Sequence, residues 1–151
     1  MVINGCWDDP KRTEEDMTRI LLVGYDPQTE DFSEPGRPSG LNAEKIEAGI
    51  EFGVEQMRGR GWEVDICLIR FQETAETAGP IVERQLRAAA YDCVVIGGGI
   101  RLPMNYLVFE AVINAVHRDA PAAAIAFNSG PEDSADAAER RLTTGQNHPE
   151  P

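Results

Sequence analysis

With 151 residues, 42% of them hydrophobic and 26% charged, the chain has the size and balance of one globular domain and not of a disordered, fibrous or membrane protein. A formal net charge of -12 sets it against nucleic acid and anionic membrane surfaces, because both require basic patches on their partners. No apolar run nears the roughly 20 residues needed to cross a bilayer, and the opening MVINGCWDDPKRTEED lacks the apolar stretch of a signal peptide. The expectation is a cytoplasmic protein with a flexible acidic leader over 1–18, one α/β domain over 19–142 and a disordered tail over 143–151.

The first element is Arg19-Ile20-Leu21-Leu22-Val23-Gly24-Tyr25-Asp26, a continuous apolar run of the kind that forms a strand covered on both faces. The segment PQTEDFSEPGRPSG after it reads as loop throughout, and its length of about 15 residues exceeds most strand-to-helix connections, a feature of functional loops. Over 41–60 the period changes. Ile46, Gly49, Ile50, Gly53, Val54 and Met57 fall on one stripe, predicting an amphipathic helix capped by Ser39 or Asn42 and ended by Gly59 or Gly61. Gly49 and Gly53, one turn apart, are expected to bring this helix close to the sheet.

A second strand is predicted over 62–69, alternating at first and then fully apolar, which suits a position nearer the sheet edge. The stretch ETAETAGPIVERQLRAAA gives a loop and a second helix with Pro80 in its first turn and Ile81, Val82, Leu86 and Ala89 inward. A third strand over 91–96 runs directly into Gly97-Gly98-Gly99. Pro103 or Asn105 can open a third helix ending at Asp119-Ala120-Pro121, with Leu107, Phe109, Val112, Ile113 and Val116 towards the core. A weak strand over 122–127, the turn Asn128-Ser129-Gly130-Pro131 and a helix opened by Asp133 or Ser134 and running to about Leu142 complete the chain.

Strictly alternating strands and helices imply right-handed crossovers and a parallel sheet with helices on both faces, a flavodoxin-like or Rossmann-like three-layer sandwich. The expected strand order is 2-1-3-4. In that order the first strand separates Cys67 from Cys93, so those two thiols cannot bond. With Cys6 they form a sparse, odd set without metal-type spacing, which argues for small buried hydrophobes in place of a disulfide frame or a zinc site.

The crevice of such a sheet lies at the carboxyl ends of the strands, where the winding reverses. Its expected lining is Asp26 on one side, Gly97, Gly98, Gly99 and Arg101 on the other, and Asn128 with Ser129 close by. Glycines before a helix expose amides to an anion, and Arg101 can grip phosphate or carboxylate in a fork; the plainer alternative is a turn that simply needs glycine. Neither GxGxxG with its later acidic residue nor GxxxxGK[ST] is present. Asp26, Glu30, Asp31 and Glu34 form an acidic mouth that could hold magnesium or merely be solvated. Glu110, Asn114 and His117 share one helical edge and could act in acid–base chemistry, although such a row is more often an exposed face. His148 lies in the expected tail.

Two families share this architecture and are disfavoured on their own motifs. Receiver domains place a phosphorylated aspartate after the third strand, where this chain has glycines. Flavodoxins hold flavin phosphate in a Ser/Thr-rich loop after the first strand, where this loop is acidic and proline-rich. The stretches YDCVVIGGGIR, FEAVINAVHRDAP and IAFNSGPEDS resemble those of a group of small, uncharacterised α/β proteins from bacteria and fungi, over roughly residues 19–142. The resemblance implies the same fold and one shared site comprising Gly97 to Arg101 and Asn128, and brings no catalytic residue with it. Three functions remain open at this point. The first is binding of an anionic small molecule, a nucleotide or sugar phosphate. The second is an interaction or regulatory module acting through helix 103–119 or the acidic loop 26–38, including contact with a second copy. The third is a magnesium-assisted hydrolase or transferase using Asp26.

Overall fold

A computed structural model describes residues 17–146, with side chains described through 142. The expectations for 1–16, including Cys6, and for 147–151, including His148, lie outside the described residues. Four parallel strands, β1 (Arg19–Tyr25), β2 (Glu63–Ile69), β3 (Cys93–Ile96) and β4 (Ala124–Phe127), form one sheet in the order β2-β1-β3-β4. The helices are α1 (Ala43–Gly59), α2 (Ala75–Ala88), α3 (Tyr106–Asp119) and α4 (Ser134–Gln146). This is the α/β sandwich and the strand order that the alternating pattern predicts.

Strand side chains alternate between faces, and β1 feeds both layers. Leu21, Val23 and Tyr25 join Val94 and Ile96 under α2 and α3, while Ile20 and Leu22 join Cys93 and Val95 under α1 and α4. All of these are buried. Cys67 and Cys93 are free thiols on opposite faces, two strands apart. Burial pushes the Cys93 thiol up to about 12, helped by the Asp92 carboxylate, and pushes Cys67 up as well. Both are therefore inert, as expected of small core residues.

Several local expectations are corrected. Pro80 is not in the first turn of α2. Thr74 opens that helix a turn earlier, its amide donating to Thr77 Oγ1 at 2.9 Å while its carbonyl accepts from the amides of Thr77 and Ala78. Pro80 thus sits inside the helix on an exposed face, where the backbone bond it cannot make is replaced by water. On α3 Val112 and Val116 are buried and Phe109 and Ile113 pack partly buried against the core, as expected, but Val108 and Ala115 join them and Leu107 is 51% exposed. A short 3-10 turn over Pro103–Asn105 precedes the helix. α4 continues to Gln146, so 143–146, expected in the tail, are helical.

The glycines of α1 do not serve the sheet. A Cβ at Gly53 would lie 2.2 Å from the Pro131 carbonyl oxygen, and one at Gly49 would lie 2.7 Å from Glu132 Oε2 and 2.9 Å from Pro131 Cγ. What they admit is the 3-10 turn Pro131–Asp133 that follows β4, so the loop after β4 is pressed against α1. A Cβ at Gly59, by contrast, would have nothing within 4 Å, and the φ of Gly59 is not positive. Gly53→Ala is expected to destabilise by about 1–3 kcal/mol through overpacking and Gly59→Ala to stabilise by about 0.4–1 kcal/mol through the unfolded chain. Urea titration of the two variants checks this, and equal midpoints would contradict the contact between α1 and the β4 loop.

Candidate functional site

β1 and β3 are hydrogen-bonded neighbours whose following helices lie on opposite faces. Their chains diverge beyond Tyr25 and Ile96, and a pocket of about 70 Å³ opens there, lined by Tyr25, Glu30, Arg37, Gly97, Gly98 and Gly99 among others. It adjoins a cleft of about 870 Å³ bounded by the β1–α1 loop, α1, the glycine turn and the loop after β4. Arg37, Ile46, Gly98, Gly99, Asn128 and Pro131 line both, so the two form one branched space.

The glycine turn is built differently from either sequence expectation. None of Gly97, Gly98 and Gly99 has a positive φ, a conformation that among the described glycines only Gly36, Gly40 and Gly61 adopt. Backbone permissiveness is not what the three supply. Gly97 donates its amide to Val23 O at 2.8 Å, and a Cβ on it would be 3.3 Å from that same oxygen. A Cβ on Gly99 would press on Glu30 Oε1, Tyr25 Cδ2 and Arg37 Nη1 at 3.2–3.4 Å. Absence of side chains lets the β1 loop close over the turn.

Nor does the turn abut a helix N-terminus. Residues 100–105 intervene before Tyr106, with Ile100 fully buried as an anchor, so the glycines are not part of the first turn of α3. The Gly98 and Gly99 carbonyls accept from the amides of Arg101 and Leu102, and Gly99 O also from Asn105 Nδ2 at 2.8 Å. The Gly98 and Gly99 amides meet no acceptor among the described residues. They remain the donors available to a ligand.

Arg101 lines the larger cleft, but most of its fork is already used. Nε donates to Ile96 O at 3.1 Å, and Nη2 donates to Asn128 O and approaches Asn128 Oδ1 at 3.4 Å. The guanidinium lies 4.8 Å over the Phe127 ring, whose edge meets Phe109 at 5.7 Å. Arg101 therefore clamps the ends of β3 and β4 together, and Nη1 alone has no protein acceptor among the described residues. Burial lowers its pKa, opposed by the Asp133 carboxylate. Asn128 is buried, with Nδ2 donating to Ser134 Oγ at 3.0 Å. Ser129 is engaged by Asp133, which accepts from both its amide and its hydroxyl. Burial works to raise the Asp133 pKa, but these bonds from Ser129 hold it below the usual carboxylate value. Asn128 and Ser129 shape the wall more than they offer free groups.

Asp26 is brought to the ends of the strands but not into either cavity. Its carboxylate accepts from Gln28 N at 3.0 Å to cap the turn Pro27–Thr29, and its amide donates to Ile69 O at 2.7 Å on the β2 side. Among the described residues no three histidine, cysteine or acidic side chains gather as a metal site. Glu110, Asn114 and His117 are exposed on α3, with Asn114 Nδ2 on the Glu110 carbonyl, remote in role from the cavities.

Two cations absent from the sequence expectation do face the space. Lys45, in the first turn of α1, lines the larger cleft, its Nζ donating to Gly40 O at 3.0 Å. Arg37 lines both cavities and lies between Glu30 and Glu34, with its guanidinium 4.9 Å over Phe32. The signal was a lone arginine in an acidic loop, spaced to pair with both glutamates. Burial dominates here. It raises the Glu30 pKa against the lowering effect of Arg37, and it pushes the Tyr25 hydroxyl up to about 12, with Glu34 and then Glu30 adding to the effect. Phe52, 49% exposed, adds an aromatic surface to the cleft.

In comparisons with known proteins, no family model matches the chain and no curated protein matches it. No helix among the described residues is long and apolar enough to cross a membrane.

The clamp makes a prediction about stability. Arg101→Lys keeps the charge but cannot reach Ile96 O and Asn128 O together, so it is expected to cost about 1–3 kcal/mol, measured by urea unfolding. An unchanged midpoint would show that the two strand ends hold without the clamp.

Proposed function

We propose that the protein binds an anionic small molecule, a nucleotide or sugar phosphate, at the carboxyl ends of its strands. The observation that carries this reading is the cleft of about 870 Å³, walled by Arg37, Lys45 and Arg101 and by the Gly98 and Gly99 amides. Its volume falls within the roughly 300–1,000 Å³ typical of small-molecule sites. The cations supply charge-assisted bonds, the amides supply directional donors, and Phe52, Leu41 and Leu102 offer an apolar wall for a base or sugar face. Asp26, Asn128 and Ser129 take supporting roles, holding the loops that form the walls. Chemistry on the ligand is not required by this reading. The likeness to small bacterial and fungal α/β proteins fits a shared site at Gly97 to Arg101 and Asn128, and the unreactive thiols Cys67 and Cys93 suit the reducing cytoplasm.

A second reading has one observation in its favour. Met104, Tyr106 and Leu107 are 44%, 63% and 51% exposed at the start of α3, an apolar patch of the kind that contacts a partner or a second copy.

A thermal-shift screen of nucleotides and sugar phosphates, with and without magnesium, separates these. A bound member at 100 times its Kd stabilises by about 2.7 kcal/mol. Lys45→Gln, which removes a partly solvated cation from the cleft, is expected to weaken that binding about tenfold, equivalent to about 1.4 kcal/mol. A flat screen combined with a concentration-dependent sedimentation coefficient, abolished in Leu107→Asp, would move the assignment to the interaction module. Turnover that needs magnesium and vanishes in Asp26→Asn would instead restore the hydrolase or transferase.

A further inference from the structure

Three charged side chains of the β1–α1 loop are buried more deeply than their setting requires. Those of Glu30, Arg37 and Glu34 are 4%, 6% and 11% exposed. Charges so placed are tolerated when their hydrogen-bonding capacity is used internally, and here it is not. Glu30 Oε1 lies 2.7 Å from Arg37 Nη2 as an ion pair, but makes no aligned hydrogen bond. Arg37 Nη1 stands 3.6 Å from Glu34 Oε1, and neither of these atoms has a hydrogen-bond partner among the described residues. Buried groups left this way are rare in folded proteins and call for a cause.

The cause lies across the pocket. Glu30 and Arg37 both line the smaller cavity, and Gly99 faces the same two atoms. A Cβ at Gly99 would lie 3.2 Å from Glu30 Oε1 and 3.4 Å from Arg37 Nη1, whereas its φ is not one that demands glycine. The missing side chain lets both atoms close on the turn, and the cavity that Glu30, Arg37 and Gly99 line together is thus bounded by an acceptor and a donor that lack hydrogen-bond partners. Building on the anion-binding reading above, we infer that Glu30 and Arg37 form a polar subsite beside Gly99 for a neutral group that donates one hydrogen bond and accepts another. A hydroxyl or an amide edge of the ligand has this chemistry. A carboxylate or phosphate would meet Glu30, and an ammonium would meet Arg37, so neither charged group is accommodated. The cavity of about 70 Å³ admits a few heavy atoms, an edge of a ligand and not its body. Because Arg37, Gly98, Gly99 and Asn128 also line the larger cleft, the ligand's anionic end lies there.

Calorimetric titration with inorganic phosphate, ribose 5-phosphate and uridine 5′-monophosphate tests the subsite. Phosphate has only the anionic end, the sugar adds hydroxyls and the nucleotide adds an amide edge. At least one of the two larger probes is expected to bind tenfold or more tighter than phosphate, and Gly99→Ala should bring that ratio down towards one, the larger probe losing at least tenfold more than phosphate does. Glu30→Met gives a signed control, because it keeps the length of the side chain and removes both its charge and its acceptor oxygens. Loss of a negative charge strengthens every anionic probe if Glu30 acts only through its field, whereas the subsite requires weaker binding of the preferred larger probe. Equal affinities for all three probes, or an equal loss for all three in Gly99→Ala, would overturn the inference. If phosphate itself fails to bind, the anion reading falls, and the subsite is then read separately by NMR titration of the Gly99 amide with acetamide and ethylene glycol. A saturable shift with either, lost in Gly99→Ala, supports it, and no shift with both ends it.

Discussion

β1 is shared by two parallel neighbours, β2 on one side and β3 on the other, and the geometry of the carboxyl ends follows from that sharing. A parallel neighbour requires a crossover, and crossovers are right-handed, so winding outward in the two directions from β1 sends the covering helices to opposite faces. The chain must then part above β1 and β3, where no helix covers the strand ends. Both cavities lie at this parting. They are consequences of topology before any side chain contributes chemistry.

What closes the parting is close backbone approach and not regular structure. Gly97 and Gly99 on the β3 side and Gly49 and Gly53 on α1 each stand where a side chain would strike a neighbouring segment. Gly97 admits the end of β1, Gly99 admits the β1–α1 loop, and the pair on α1 admits the turn after β4. Between them, Arg101 ties the ends of β3 and β4 through Ile96 O and Asn128 O, and Asn128 passes the restraint to Ser134 at the head of α4. Walls fixed in this way cost little to order when a ligand arrives, and that is the condition for affinity from a modest number of contacts.

The sheet was legible because its signals are local and redundant. The apolar run through Leu21 and Val23, the change of period at Ile46 and the β-branched run before Gly97 each report one element, and their alternation reports the topology. The cleft wall at Gly98, Gly99 and Arg101 was legible for the same reason, since it follows directly from the end of β3. Its mechanism was not. Whether a glycine serves by its φ or by its missing Cβ depends on what approaches it from elsewhere in the chain, and Gly53 meeting Pro131 has no local trace. The same holds for Arg37, because its burial depends on the course of a loop containing Pro35, Gly36 and Pro38. Asp26 stands apart. The best local use of an aspartate at a strand end is to cap the next turn, and Asp26 does so through Gln28 N, outside the residues that line the two cavities.

A net charge of -12 at first opposes an anion site, and the resolution lies in range. In physiological salt the field of distant carboxylates is screened within about 8 Å, so what an anion meets in the cleft is set by the groups that line it. There Arg37, Lys45 and Arg101 stand against Glu132, with Glu30 directed into the smaller pocket. Arg37 is paired with Glu30 and Glu34, so the positive charge left to the cleft is that of Lys45 and Arg101, in a protein that is globally acidic. That division has a kinetic consequence. On the proposed anion-binding reading, a ligand is not steered in from bulk, its capture depends on short-range bonds made after encounter, and specificity would rest on the fixed donors and acceptors of the cavity walls.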